Sequence, residues 1–176
     1  MKSRKNQTTF FIVESALFAA LIYVATCYIK IPTVNGYVHI GDGLIFLASS
    51  LLPPQYAIAA AILGGSLGDI IGGYFIWVPA TALIKGFTAA CFSSKTKKII
   101  SARNIIALFI SLILCVGGYY LFEAVFIADN FISPLASVLP NVGQIVSSSA
   151  VYICLGVIID IRPRLKKLLT EPKDMI

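Results

Sequence analysis

The sequence predicts an all-α integral membrane protein, a compact bundle of six transmembrane helices with both termini in the cytoplasm. Three observations predict it. Of 176 residues, 58% are hydrophobic and only 12% are charged, with a mean hydropathy of +0.89, too apolar for a water-soluble domain of this size. Apolar runs of helical length recur between proline, glycine and polar breakers. Twelve of the 14 basic residues fall in three short clusters. This composition excludes a disordered chain, a secreted disulfide scaffold and a cytosolic enzyme. Residues 1–176 read as a single transmembrane domain with no room for a soluble one.

The first helix is predicted over Thr9 to Tyr28. It is as long as a membrane span, contains Glu14 and lacks an A-x-A cleavage site, so it reads as a retained helix and not a signal peptide. Glu14, about 7 Å in from the cytoplasmic end by helix rise, is expected to snorkel or to meet a partner. The second helix, Gly41 to Leu52, reaches only about 18 Å and either inserts partway or folds back as a re-entrant hairpin. The third, Gln55 to Gly73, carries Ala60, Gly64, Gly68 and Gly72 on one stripe, a surface for close helix packing in lipid and not a phosphate loop. The remaining helices are predicted over Pro79 to Ser93, Asn104 to Ala128 and Val142 to Ile161.

The basic clusters set the orientation. Lys2, Arg4 and Lys5 precede helix one; Lys95, Lys97, Lys98 and Arg103 follow helix four; Arg162, Arg164, Lys166, Lys167 and Lys173 follow helix six. The positive-inside rule places all three in the cytoplasm, which requires an even number of spans. The loops Lys30 to Ile40, Tyr74 to Val78 and Asp129 to Asn141 then face outward as a lid, with aromatic residues that also suit an interface belt. Cys27, Cys91, Cys115 and Cys154 lie in different apolar runs without metal spacing and read as buried, reduced packing residues.

Charges inside membrane helices cost a few kcal/mol, about 2.5 to 3.5 at the centre on insertion scales, so each needs a reason. On this topology Asp42, Asp69, Lys85 and Glu123 converge on the outer half of the bundle, with His39, Asn141 and Gln144 at the same level. Together with Tyr74, Trp77, Tyr119 and Tyr120 as stacking faces they describe a small-molecule pocket: apolar and aromatic walls with a few placed polar groups. Alternatively the groups satisfy each other, Lys85 paired with Asp69 or Glu123 and Asp42 capping helix two. With one histidine and no HExxH, CxxC or GxSxG motif, nothing points to an enzyme. The short basic clusters lack interleaved aromatics, so no nucleic acid partner is expected.

Particular strings carry a resemblance: Ala16 and Ala20 in the A-x-x-x-A of ALFAA, YVHIGDGLIFLASSLLPP from Tyr37 to Pro54, and GDIIGGYFIWVPATALIKGF from Gly68 to Phe87. Over nearly its whole length the chain resembles the substrate-binding S components of energy-coupling factor (ECF) transporters, in the branch associated with riboflavin, pyridoxine and hydroxymethylpyrimidine. The resemblance implies a multi-pass protein of the bacterial cytoplasmic membrane that captures a vitamin-like molecule outside. The implied pocket is formed by the loop after helix one and by helices four to six. It further implies docking through Ala16 and Ala20 onto a transmembrane coupling protein driven by two ATPases, with the S component tilting to deliver its ligand. No cofactor is expected in this chain, since ATP is used by the partners, and with only His39 as an imidazole no cobalt or nickel cargo. Pyridoxine or hydroxymethylpyrimidine is the favoured ligand on resemblance, riboflavin and a deazaguanine-type base fitting the same aromatic pocket. A stand-alone carrier or channel, or a small membrane enzyme using Asp69 and Glu123, are the competing functions.

Overall fold

The computed structural model describes residues 2–33 and 36–170. Lys173 lies outside the described residues, as do the side chains of Lys2, Arg4 and Lys5. The helices are α1 (Lys2–Tyr28), α2 (Gly41–Leu51), α3 (Pro54–Gly72), α4 (Val78–Cys91), α5 (Ala102–Phe126), α6 (Leu135–Asp160) and α7 (Pro163–Thr170), with a single turn of 3₁₀-helix at Phe75–Trp77. Among the described residues, four stretches are long and apolar enough to cross a bilayer, Gln7–Tyr28, Pro54–Gly72, Ala102–Phe126 and Leu135–Asp160. The apolar segments Gly41–Leu51 and Phe75–Cys91 are shorter.

The fold departs from the sequence-based expectation in three places. The loop after α1 is an antiparallel hairpin, β1 (Lys30–Thr33) and β2 (Gly36–His39), in the register Lys30↔His39 and Pro32↔Tyr37. Helix α6 begins at Leu135, seven residues before the expected Val142, and carries Pro140 inside it. Proline there removes one amide donor early in the helix. The basic tail after α6 is not bare but forms α7, whose Leu165 and Leu169 pack against the core.

Helix α3 is the spine of the bundle, packed on α1 along one side and α4 along another, while α6 lies against α2 and α5. The small-residue stripe explains the close approach of α1 to α3. A Cβ built on Gly64 would stand 2.7 Å from both the Ala19 carbonyl oxygen and Ile22 Cβ, and one on Gly68 2.6 Å from Thr26 Cγ2. Only hydrogen fits where α1 crosses. The other face of α1 is open: Ala16 and Ala20 are exposed, among exposed Ile12, Val13, Leu17, Leu21 and Val24. Glu14 lies seven residues beyond Gln7, where the apolar span of α1 begins, about 10 Å by helix rise; its Oε2 is buried without a hydrogen bond.

Where α5 begins, the bundle is closed by hydrogen bonds. Asn104, fully buried, donates to the Ser93 and Ile99 carbonyls at 3.1 and 3.0 Å and accepts from the Ser93 amide at 2.9 Å. The Tyr152 hydroxyl donates to the Ile99 carbonyl at 2.8 Å, and Asp160 takes the Ile99 and Ile100 amides at 2.8 and 3.0 Å. Phe46, Phe92 and Tyr152 pack their rings beside this knot. Lys166 reaches both Asp160, at 3.6 Å, and the Lys97 carbonyl, so two of the basic clusters meet at this end. Among the cysteines, Cys115 is buried and Cys27 and Cys91 are half-buried, all as free thiols, whereas Cys154 is exposed, contrary to expectation.

Candidate functional site

A cleft opens at the other end of the bundle. The last turn of α1 (Thr26), the hairpin (Thr33, Tyr37, Val38, His39) and the C-terminal half of α3 (Gly65, Asp69) form one wall. The rest of the lining comes from Tyr74 and Trp77 just before α4, Thr81 in its first turn, Tyr119 and Glu123 late in α5, and Ser137, Pro140, Asn141 and Gln144 early in α6. Glu123 lies 19 residues beyond Asn104 on α5, about 28 Å along the axis, so cleft and closed end occupy opposite extremes.

Eight of the eleven expected pocket residues line this cleft: His39, Asp69, Tyr74, Trp77, Tyr119, Glu123, Asn141 and Gln144. Asp42 and Lys85 do not. They form a buried ion pair behind the wall, Lys85 Nζ standing 2.7 Å from Asp42 Oδ1 and 2.9 Å from Oδ2. This corrects two expectations. Lys85 pairs with Asp42, not with Asp69 or Glu123. Nor does Asp42 cap α2, which has no side-chain cap at its preceding residue Ile40. The amide of Gly41, the first residue of α2, instead donates to His39 Nδ1 at 3.0 Å, so the imidazole does the capping and frees Asp42 for the lysine.

Gln144 ties the pair to the cleft. Its Nε2 donates to Asp42 Oδ2 at 2.8 Å, and its Oε1 accepts the His39 amide at 3.2 Å. The amide side chain thereby links α6, α2 and the hairpin. Lys85 Nζ also lies 5.3 Å from the centre of the Tyr119 ring, a cation–π contact through the cleft wall. The neutral imidazole has its lone pair on Nδ1, facing the Gly41 amide, and its proton on Nε2. Burial pushes the His39 pKa down to about 4, Asp42 opposing this and Lys85 and Lys30 adding to it, so the ring is uncharged at neutral pH.

The residue the sequence reading missed is Tyr37. Its hydroxyl donates to Asp69 Oδ1 at 2.7 Å, its ring lies 4.9 Å from that of Tyr74, and Lys30 Nζ stands 4.9 Å from its centre. Burial, reinforced by the Asp69 carboxylate, holds the phenol well above its ordinary pKa, which keeps it a donor. A signal was available: Tyr37 and His39 are two apart, and alternate residues of a strand share a face. Thr81, also missed, shares a 3.0 Å hydrogen bond with the Tyr119 hydroxyl. Tyr120 is not in the cleft; its hydroxyl donates to the Phe131 carbonyl at 3.0 Å. Trp77 meets Tyr119 edge-on at 5.8 Å between ring centres. Aromatic walls with hydroxyl, amide and carboxyl groups suit a flat, polar-edged ring. No group of three or more metal-ligating side chains occurs among the described residues.

The family model described as "ECF-type riboflavin transporter, S component" matches residues 6–161. That stretch contains every residue lining the cleft and stops short of α7. No curated protein matches the chain.

Proposed function

The chain belongs to the S-component family of ECF-type riboflavin transporters, multi-pass membrane proteins of vitamin uptake, and on that premise we propose that it is the ligand-capturing subunit of an ECF-type importer. The observation that carries this reading is the cleft at the hairpin end, lined by aromatic rings and by Asp69, Glu123, Asn141 and Gln144. An S component is a transporter subunit and not an enzyme class. The ligand is a flat, hydroxylated heteroaromatic vitamin or precursor, pyridoxine or hydroxymethylpyrimidine first, with riboflavin, the vitamin in the family's description, as the second candidate.

In this reading six helices lie in the membrane, α2 and α4 as short inserts, and both termini face the cytoplasm. The meeting of the Lys97 and Lys166 segments at the end away from the cleft supports that orientation. The cleft then opens outward, and the hairpin covers it once the ligand is in. Release inward is powered by two ATPases through a coupling protein, because no nucleotide-binding motif occurs in this sequence. The exposed Ala16 and Ala20 face supports docking of that protein, since small residues let helix backbones approach.

Mass spectrometry of small molecules released from the purified, detergent-solubilised protein tests the reading. Recovery of one heteroaromatic vitamin or precursor per protein molecule is expected. A protein that comes out empty and binds none of the three candidates in titration overturns it.

A further inference from the structure

The end of the bundle away from the cleft carries more positive charge than the fold pairs. Two basic clusters meet there, Lys166 reaching the Lys97 carbonyl, and their described members are eight lysines and arginines. Asp160, set among them, has its carboxylate taken by the Ile99 and Ile100 amides and by Lys166. Arg162 and Arg164 are exposed and form no ion pair among the described residues. Both arginines line one groove with Pro163, Leu165 and Leu168. Leu165 packs against the core, while Leu168 is exposed. At about 100° per residue, Leu168 falls between the core-facing Leu165 and Leu169 on one side and the exposed Arg164 and Lys167 on the other. The groove therefore has a cationic rim and an apolar floor. It begins where α6 ends. Val157 and Ile161, four residues apart and both exposed, close the outer apolar stripe of α6, and Arg162 follows at once.

We propose that this groove binds an anionic phospholipid, its phosphodiester held by Arg162 and Arg164 and one acyl chain laid over Leu168 toward the apolar stripe of α6. The lining calls for both a head and a tail. A guanidinium fork matches the oxygens of a phosphate, and the exposed Leu168 and Ile161 are better covered by hydrocarbon than by water. The position favours a lipid over an acidic protein surface, because the groove starts at the residue where α6 leaves its lipid-facing stripe, the level at which headgroups stand. Helix α7, short and amphipathic, then lies along the membrane surface, and the bound head offsets part of the charge that the two clusters concentrate at this end. The inference needs the chain to cross a bilayer and is independent of what the cleft binds.

The full-length protein in detergent is studied by native mass spectrometry after addition of phosphatidylglycerol or of phosphatidylcholine with the same acyl chains, with the melting temperature measured in parallel. One phosphatidylglycerol is expected to be retained in preference to phosphatidylcholine and to raise the melting temperature. Arg162→Gln combined with Arg164→Gln is expected to weaken that retention by about tenfold or more, the effect of two basic residues near an anionic headgroup. Lys95→Gln combined with Lys98→Gln removes the same charge from the same end but outside the groove, and is expected to weaken it far less. Equal losses in the two double variants would reduce the groove to diffuse surface charge and overturn the site. Displacement of the lipid by glycerol 3-phosphate, which has the head without a chain, would assign the groove to a soluble phosphate ester and overturn the lipid. Equal retention of the two phospholipids by the unaltered protein overturns the proposal whether or not a variant folds, and is the result that an acidic protein partner for this patch would give.

Discussion

Lys85 sits 1% exposed in a helix whose outward face meets lipid, and what keeps it charged there is a set of three partners: Asp42, Gln144 acting through Asp42, and the Tyr119 ring. Removing one member of a buried pair strands the other. Lys85→Met is therefore expected to cost about 3–5 kcal/mol, read as a fall in melting temperature in a fixed detergent. Combining it with Asp42→Asn is expected to recover most of the loss, because the amide no longer needs a counter-ion and still bonds Gln144. A double variant no better than Lys85→Met would refute the pairing as the source of the loss. The sequence identified both residues as members of one polar cluster but assigned their partners wrongly. Helix rise gave their heights in the membrane, and Lys85 was level with Asp69 and Glu123; the rotation of each helix about its axis, which chooses among neighbours at one height, is set by packing that no local pattern records.

Between elements, the α1–α3 crossing is a close contact and the one most legible in advance, since the Ala60, Gly64, Gly68 stripe has helical spacing. Gly64→Ala is expected to destabilise by about 1–3 kcal/mol, the range for overpacking. The contrast is Gly117→Ala in α5, where nothing stands within 4 Å of a built Cβ; there the lower backbone entropy of alanine should stabilise by about 0.5–1 kcal/mol. Thermal melts of the two variants side by side decide it, and equal effects would mean that the crossing is looser than its geometry. The hairpin and the early start of α6 were less legible for a shared reason. Pro32, Gly36 and Pro140 are local breakers, read as loop, yet the first two stand in a paired hairpin and the third inside α6.

The molecule as a whole has two unlike ends, an open aromatic cleft and a knot of hydrogen bonds around Asn104, with an exposed alanine face on α1 between them. The six apolar runs and the convergence of polar groups on one end were visible in the sequence, because lipid forces apolar length and makes every buried charge conspicuous. Helix α7 was not, its eight residues being too few for a clear period. On the proposed function, Ala16→Trp and Ala20→Trp are expected to abolish uptake in cells that hold the ATPase partners while leaving ligand affinity in detergent within about twofold, as surface changes far from a site usually do. Loss of affinity together with uptake would count against docking by this face. Vesicles holding this chain alone are expected to show no ATP-independent accumulation, and accumulation there would favour a stand-alone carrier.

His39 is the chain's one histidine, and it sits where the hairpin, the tip of α2 and the cleft wall meet. Protein grown on ¹⁵N-labelled histidine and purified without a histidine tag therefore contributes a single pair of imidazole nitrogen resonances to the spectrum. At pH 7 the pair should show an unprotonated Nδ1 and a protonated Nε2, moving to the doubly protonated form only near pH 4. A ligand that settles the hairpin changes the field at one labelled ring in a molecule otherwise silent at that frequency. The single histidine is thus an isotope-addressable probe in the cleft wall, where a change in the hairpin can be followed without attaching anything to the protein.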